Sequence, residues 1–276
     1  MTKPSVITLL TDFGTADYFV AALKGVILTG NPLTCIVDIT HEIPPQDIEG
    51  GAFTLLTCHR DFPKGTIHVA VVDPGVGSGR RAIVVKAGSQ YFVGPDNGLF
   101  SYVLDNDPEH KVFQITKSKY FREAASSTFH GRDLFAPVAA ALADGVKPSK
   151  FGSRIEDAVR LAPLAPNKND DGKVEGRIIN VDRFGNCVTN FTRADLPEPG
   201  GKQLSVNGRE ITTFRQFYAD EDGSKADEAG ATDQIFAIWG SAGFLELSVN
   251  AASAAELLGV KRGDPVIASA LSADAA

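Results

Sequence analysis

Hydrophobic and polar positions divide the chain into two textures. Val6–Leu10 is a short, mostly apolar run with β-branched members, stopped by Thr11-Asp12-Phe13-Gly14; it predicts a buried strand and a turn. Phe19, Val20, Leu23, Val26 and Ile27 then recur at helical spacing, with Gly30 as the stop. Thr34–Ile39 reads as a second strand. Asp47–His59 reads as a second helix with Ile48, Ala52, Leu55 and Leu56 inward, and Thr66–Val72 as a third strand broken by Asp73-Pro74-Gly75. This alternation predicts a parallel sheet with right-handed crossovers. Shorter strands follow at Ala82–Lys86 and Gln90–Val93, and an Ala-rich helix at Arg132–Ala143, closed by Gly145 and Pro148.

The pattern changes across Ala162–Lys173, where Pro163, Pro166 and Asn167-Lys168-Asn169-Asp170-Asp171-Gly172 mark a solvated linker. Beyond it the candidates are short strands: Val174–Val181, Gln203–Val206, Arg209–Thr213, Ile235–Trp239 and Phe244–Val249. Asn207-Gly208 between two of them is a hairpin signal. The expected architecture is an α/β N-terminal domain with a central, mostly parallel sheet over 1–163. A smaller C-terminal β-barrel domain is expected over 174–276. The acidic, Gly/Ala-rich stretch Asp220–Thr232 reads as a mobile loop.

Composition narrows the function classes. A net charge of −7 argues against a general nucleic-acid binder, which would present a basic face, but leaves room for a cationic small substrate. Cys35, Cys58 and Cys187 are few, odd in number and widely spaced, so neither a disulfide framework nor a zinc site is expected, and a reducing cytoplasm fits. The apolar run at Val6–Leu10 is too short for a signal segment, and no run reaches membrane-spanning length.

Ligands of α/β sheets bind beyond the carboxyl ends of the strands, where Asp12 and Asp73 fall. Each is also what a turn or helix cap requires. Asp73-Pro74-Gly75-Val76-Gly77-Ser78-Gly79-Arg80-Arg81 lacks the Lys-Ser/Thr ending of a P-loop; it reads as an anion nest with arginines or as a Gly-rich hairpin with solvated ones. His130, in Ser127-Thr128-Phe129-His130-Gly131-Arg132-Asp133, lies near a helix start, where the macrodipole disfavours imidazolium. His41, beside Glu42, is a weaker candidate of the same kind. Asp182-Arg183-Phe184-Gly185-Asn186 turns between two strands, and Trp239-Gly240-Ser241-Ala242-Gly243-Phe244 is a strand edge opened by glycine.

Taken together, and in this order, six segments resemble the S-adenosylmethionine (SAM) hydrolases, also called SAM hydroxide adenosyltransferases, and the related fluorinase and chlorinase. They are Thr11-Asp12-Phe13-Gly14, Val72-Asp73-Pro74-Gly75-Val76-Gly77, Gly94-Pro95-Asp96-Asn97-Gly98, Thr128-Phe129-His130-Gly131-Arg132-Asp133, Asp182-Arg183-Phe184-Gly185-Asn186 and Ser241-Ala242-Gly243-Phe244. The resemblance implies hydrolysis of SAM to adenosine and L-methionine by activated water at the ribose C5′, without metal or cofactor. It implies a homotrimer with sites at subunit interfaces. Asp73, Arg80 and His130 match the water-activating set, Arg80 being favoured over Arg81 by the family spacing. Asp12 matches the ribose-diol carboxylate, Asp17 and Asp182 the contacts to the methionine amino group, Asn186 and Phe184 the adenine contacts, Phe129 an aromatic wall, and Ser241 a contact to the methionine carboxylate.

Three positions depart from the halogenating branch: Asp73 stands where halogenases carry Tyr, Ala242 where the fluorinase has Arg, and Gln46 where it has Trp. A chlorinase-like halogenase and a non-catalytic SAM- or adenosine-binding protein are the alternatives. A metal-dependent hydrolase would need a ligand pair that is missing here.

Overall fold

The computed structural model describes residues 4–123, 126–169, 173–197, 202–218 and 235–270. Asp220–Thr232 lies outside them. The chain divides into two compact units, Met1–Pro163 and Leu164–Ala276.

The first unit is built on a seven-stranded sheet. Its strands are β1 (Val6–Thr11), β2 (Cys35–Thr40), β3 (Ile67–Val71), β4 (Ala82–Ala87), β5 (Gln90–Pro95), β6 (Lys111–Gln114) and β7 (Arg154–Ile155), in the order β2-β1-β3-β5-β4-β6-β7. The pairs β2-β1, β1-β3 and β3-β5 are parallel, and from β5 outward every pair is antiparallel. The sheet is therefore mixed rather than mostly parallel. The cause is local: β4 and β5 are joined by the two-residue turn Gly88-Ser89, which connects only antiparallel strands.

Helices α1 (Phe19–Gly30), α2 (Ile48–Cys58), α3 (Ser101–Asp105) and α4 (Ala136–Ala143) accompany this sheet. Leu23 and Ile27 of α1 and Val138, Ala139 and Leu142 of α4 join Ile7, Leu9, Val69 and Val84 in one buried core. The predicted helix Arg132–Ala143 is really two pieces. Gly131–Phe135 forms a wider π-helical turn, and α4 then starts with Pro137 in its first turn. Proline has no N–H to return to the Asp133 carbonyl, which instead accepts from Arg122 N at 3.1 Å. Among the described residues no helix is long and apolar enough to cross a membrane.

The second unit is a nine-stranded sheet: β8 (Asn167–Lys168), β9 (Val174–Val181), β10 (Cys187–Thr192), β11 (Lys202–Val206), β12 (Arg209–Ile211), β13 (Phe214–Arg215), β14 (Phe236–Trp239), β15 (Phe244–Ser248) and β16 (Pro265–Ala270). It runs β12-β11-β16-β9-β10-β15-β14-β13, with β8 beside β9. Since β12 and β13 end the path, the described strands make an open sheet and not a closed barrel. Asn207 and Gly208, at φ 48° and 76°, form the predicted hairpin turn between β11 and β12. Helix α5 (Ala254–Leu258), capped by Ser253, packs its Ala254 and Leu258 into this unit's core with Phe191, Leu204 and Leu247.

Candidate active site

In the first unit, the register of β1 against β3 places Thr11 opposite Val71, so Asp12 and Asp73 leave neighbouring parallel strands at the same, carboxyl end of the sheet. A cavity of about 160 Å³ opens there, lined by Asp12, Phe13, Phe19, Val71, Asp73, Val76, Thr128, Phe129, His130 and Gly131. The Gly-rich segment after Asp73 folds back through Val76 N donating to Asp73 O (3.2 Å) and Ser78 N donating to Gly75 O (3.0 Å). This returns Arg80 to Asp73. Arg80 Nε donates to Asp73 Oδ1 at 2.9 Å and Oδ2 at 3.0 Å, and Nη2 grips Oδ2 as well. Both side chains are buried, at 10% and 5% exposure.

Nη2 of Arg80 also lies 2.8 Å from Nδ1 of His130. Burial, then the Arg80 charge, hold the His130 pKa below its ordinary 6.5, against the opposing pull of Asp73 and Asp133. The neighbouring arginine is spent elsewhere: Arg81 pairs with Asp96 at 2.7 Å and Asp157 at 2.8 Å. Neither arginine of the Gly-rich segment is therefore a free anion ligand.

Asp12 accepts from Gln46 N through Oδ2 at 2.8 Å. Gln46 makes that contact at φ 66°, a left-handed conformation that a non-glycine residue adopts at some cost. The turn after β1 is braced from beneath. Phe13 N donates to Thr11 Oγ1, and Thr11 Oγ1 lies 2.8 Å from His41 Nδ1. His41 is buried with Nε2 facing Asp38 at 3.2 Å, so this candidate supports the turn rather than lining the cavity. Phe129 is buried edge-on against Phe13 and Phe19 and presents one side to the cavity. Asp17 is exposed ahead of α1 and lines neither cavity described here.

Asp182, Phe184, Asn186 and Ser241 belong to a second cavity, of about 790 Å³, in the second unit. Asp182 organises the β9–β10 turn. Its Oδ1 accepts from Phe184 N and Asn186 N, and its Oδ2 from Asn186 Nδ2, all at 2.9 Å. Phe184 is left 79% exposed, a poor position for an aromatic without a ligand to cover it. Trp239 and Gly240, from the segment opened by glycine, also line it, and the polar lining residues that the sequence did not mark include Tyr218 and Glu246. The available signal was the single charge in the apolar strand Phe244–Ser248. Among the described residues no three His, Cys, Asp or Glu side chains converge as metal ligands.

Residues 7–152 match the family model of the SAM hydroxide adenosyltransferase N-terminal domain, and residues 176–267 that of its C-terminal domain. The chain is 40% identical over 266 residues to the (R)-S-adenosyl-L-methionine hydrolase of Thermus thermophilus, covering 93% of this chain and 96% of that one. It is 37% identical over 265 residues to the enzyme of the same name from Salinispora tropica, covering 94% and 95%. A fluorinase of Actinoplanes sp. is 29% identical over 287 residues, covering 94% and 95%. An uncharacterized conserved protein from Thermotoga maritima has a solved structure similar at a TM-score of 0.85, with 34% identity and coverage of 95% and 99%. This chain belongs to the SAM hydroxide adenosyltransferase family.

Proposed function

We propose that this protein hydrolyses S-adenosyl-L-methionine to adenosine and L-methionine by attack of an activated water on the ribose C5′. The observation that carries the reading is the Arg80 guanidinium holding Asp73 and His130 together at the cavity that Asp12 also lines. The names of the relatives point the same way, and their R configuration at sulfur is extended here to this chain.

The reaction is an in-line displacement. The new O–C5′ bond forms as the C5′–S bond breaks, and its electron pair leaves with sulfur as methionine's neutral thioether. The sulfonium carries its own charge, so the leaving group needs neither a protonating acid nor a metal. Water is the weak partner and must be oriented and deprotonated; positioning alone supplies up to about 7–11 kcal/mol in favourable systems. Arg80 stays charged and favours the hydroxide that develops. His130, its Nδ1 facing Arg80, offers Nε2–H to the water oxygen, and Asp73 accepts the proton. Asp12 keeps Oδ1 for the ribose hydroxyls.

In the second unit, Phe184 and Asn186 serve adenine, and Ser241 the methionine carboxylate. Asp17 and Asp182 complete the set inherited from the resemblance. The same reading includes domains over 1–163 and 174–276, a cytoplasmic homotrimer with sites at subunit interfaces, and no cofactor.

The test is to incubate chelator-treated protein with each sulfonium epimer of SAM, with and without chloride, and separate the products. Adenosine plus methionine from the R epimer, indifferent to chelator and halide, is the expected result. Chlorodeoxyadenosine would instead establish a halogenase, and bound but intact SAM a binding protein.

A further inference from the structure

The larger cavity contains two carboxylates, and their hydrogen-bond capacity separates them. A carboxylate has about four acceptor sites. Asp182 commits three of them to its own turn. Glu246 accepts one hydrogen bond, from Tyr218 Oη to Oε2 at 3.2 Å, and among the described residues no cation pairs with it. Among the described residues its Oε1 has no hydrogen-bond donor, and Glu246 shares the cavity lining with Ser241.

The position of that oxygen is built in. A Cβ at Gly240 would lie 1.8 Å from Glu246 Oε1, so only glycine lets the carboxylate rest there. Burial raises the Glu246 pKa, the Tyr218 hydrogen bond opposes the rise, and the charge of Asp182 adds to it. An incoming cation would relieve both burdens. The sulfonium has no N–H to donate, whereas an α-ammonium has three. A substrate carboxylate would meet a second anion.

We infer that Glu246 is the main acceptor of the substrate's α-ammonium group, with Tyr218 orienting its carboxylate and Gly240 leaving room for it. The inference rests on the reading of this cavity as part of a SAM site, and it moves the ammonium contact from Asp182 to a residue outside the six motifs.

The test is Glu246→Gln, which keeps the shape and an acceptor for Tyr218 but removes the charge. Steady-state kinetics on SAM and calorimetric binding of adenosine are measured on the wild type and the variant. A KM for SAM raised about tenfold or more, with adenosine affinity within about twofold, is expected for a lost charge-assisted contact. Tyr218→Phe gives a smaller rise of the same kind. An unchanged KM in Glu246→Gln overturns the inference, as does an equal loss of adenosine affinity, which would make Glu246 a brace of the cavity. A wild type that neither binds nor turns over SAM would instead remove the underlying reading.

Discussion

Arg80 Nη2 meets His130 Nδ1 at 2.8 Å, a contact that a guanidinium makes only as donor. His130 therefore keeps its lone pair on Nδ1 and its proton on Nε2. To become a cation at Nδ1 it would have to expel Arg80, which would also loosen Asp73. The three groups thus form a fixed sequence of anion, cation and neutral ring. In the proposed reaction this leaves Asp73 as the proton acceptor and His130 as an orienting donor.

The first prediction concerns that tautomer. Nitrogen NMR is expected to show His130 protonated at Nε2 and titrating below its ordinary 6.5, because burial and Arg80 both disfavour the cation. The neutral ring then persists on the acid side of that value. Arg80→Gln should move the titration upward. A wild-type ring protonated at Nδ1 would sink the arrangement.

Removing the acceptor should cost turnover rather than binding. Asp73→Asn is expected to lower kcat by about a hundredfold or more, the usual scale for a lost general base, with little change in KM. His130→Gln, whose amide still donates, should retain more turnover than His130→Ala, which should lose about tenfold or more. Near-normal kcat in Asp73→Asn and His130→Ala would remove both from the chemistry.

Arg81 provides the contrast to its neighbour. It pairs with Asp96, whose side chain is 2% exposed. Arg81→Met should cost about 2 kcal/mol in urea unfolding by stranding that carboxylate, discounted for the partial exposure of Arg81. The folded fraction should keep its turnover. A large drop in kcat without loss of stability would mean that the two arginines have been exchanged.

His68 makes stability depend on pH. Its ring is fully buried, stacked on Phe92 at 4.8 Å and beside His59, with Nδ1 2.7 Å from Thr8 Oγ1. Burial, then the nearby His59, push its pKa down to about 3. The unfolded chain takes up this proton near 6.5 and the folded chain only near 3, so the stabilisation is complete above 6.5 and declines as pH falls towards 3. The slope is at most about 1.4 kcal/mol per pH unit. Chemical denaturation at several pH values should show a shallower acid decline in His68→Gln, and parallel curves would contradict it.

Gly240→Ala probes the glutamate from the other side. The added methyl meets the flexible end of Glu246, so that side chain should swing away without unfolding the sheet. KM for SAM should rise as in Glu246→Gln, and the double variant should add little to either. Full additivity would separate the two positions.

The hydrophobic pattern by itself determined where β1, β3 and β9 run and placed Asp12 and Asp73 at strand ends, because buried strands and turn residues are local features. Asn207-Gly208 was legible for the same reason. Strand β10 was legible only as the strand that must follow the Asp182–Asn186 turn, and its bounds were not, since Thr189 and Asn190 interrupt its apolar pattern and are buried by bonding to Leu245 O and Leu164 O. The direction of half the first sheet and the open path of the second depend on which strands meet, and that is settled by long-range pairing. The motifs likewise marked Arg80, Asp182 and His130, but only the tertiary structure decided what each still has to offer. Asp182 is largely used by its own turn, His130 is fixed in one tautomer, and among the described residues one oxygen of Glu246 has no hydrogen-bond donor. A residue's type sets its number of donors and acceptors; its neighbours in space set how many remain.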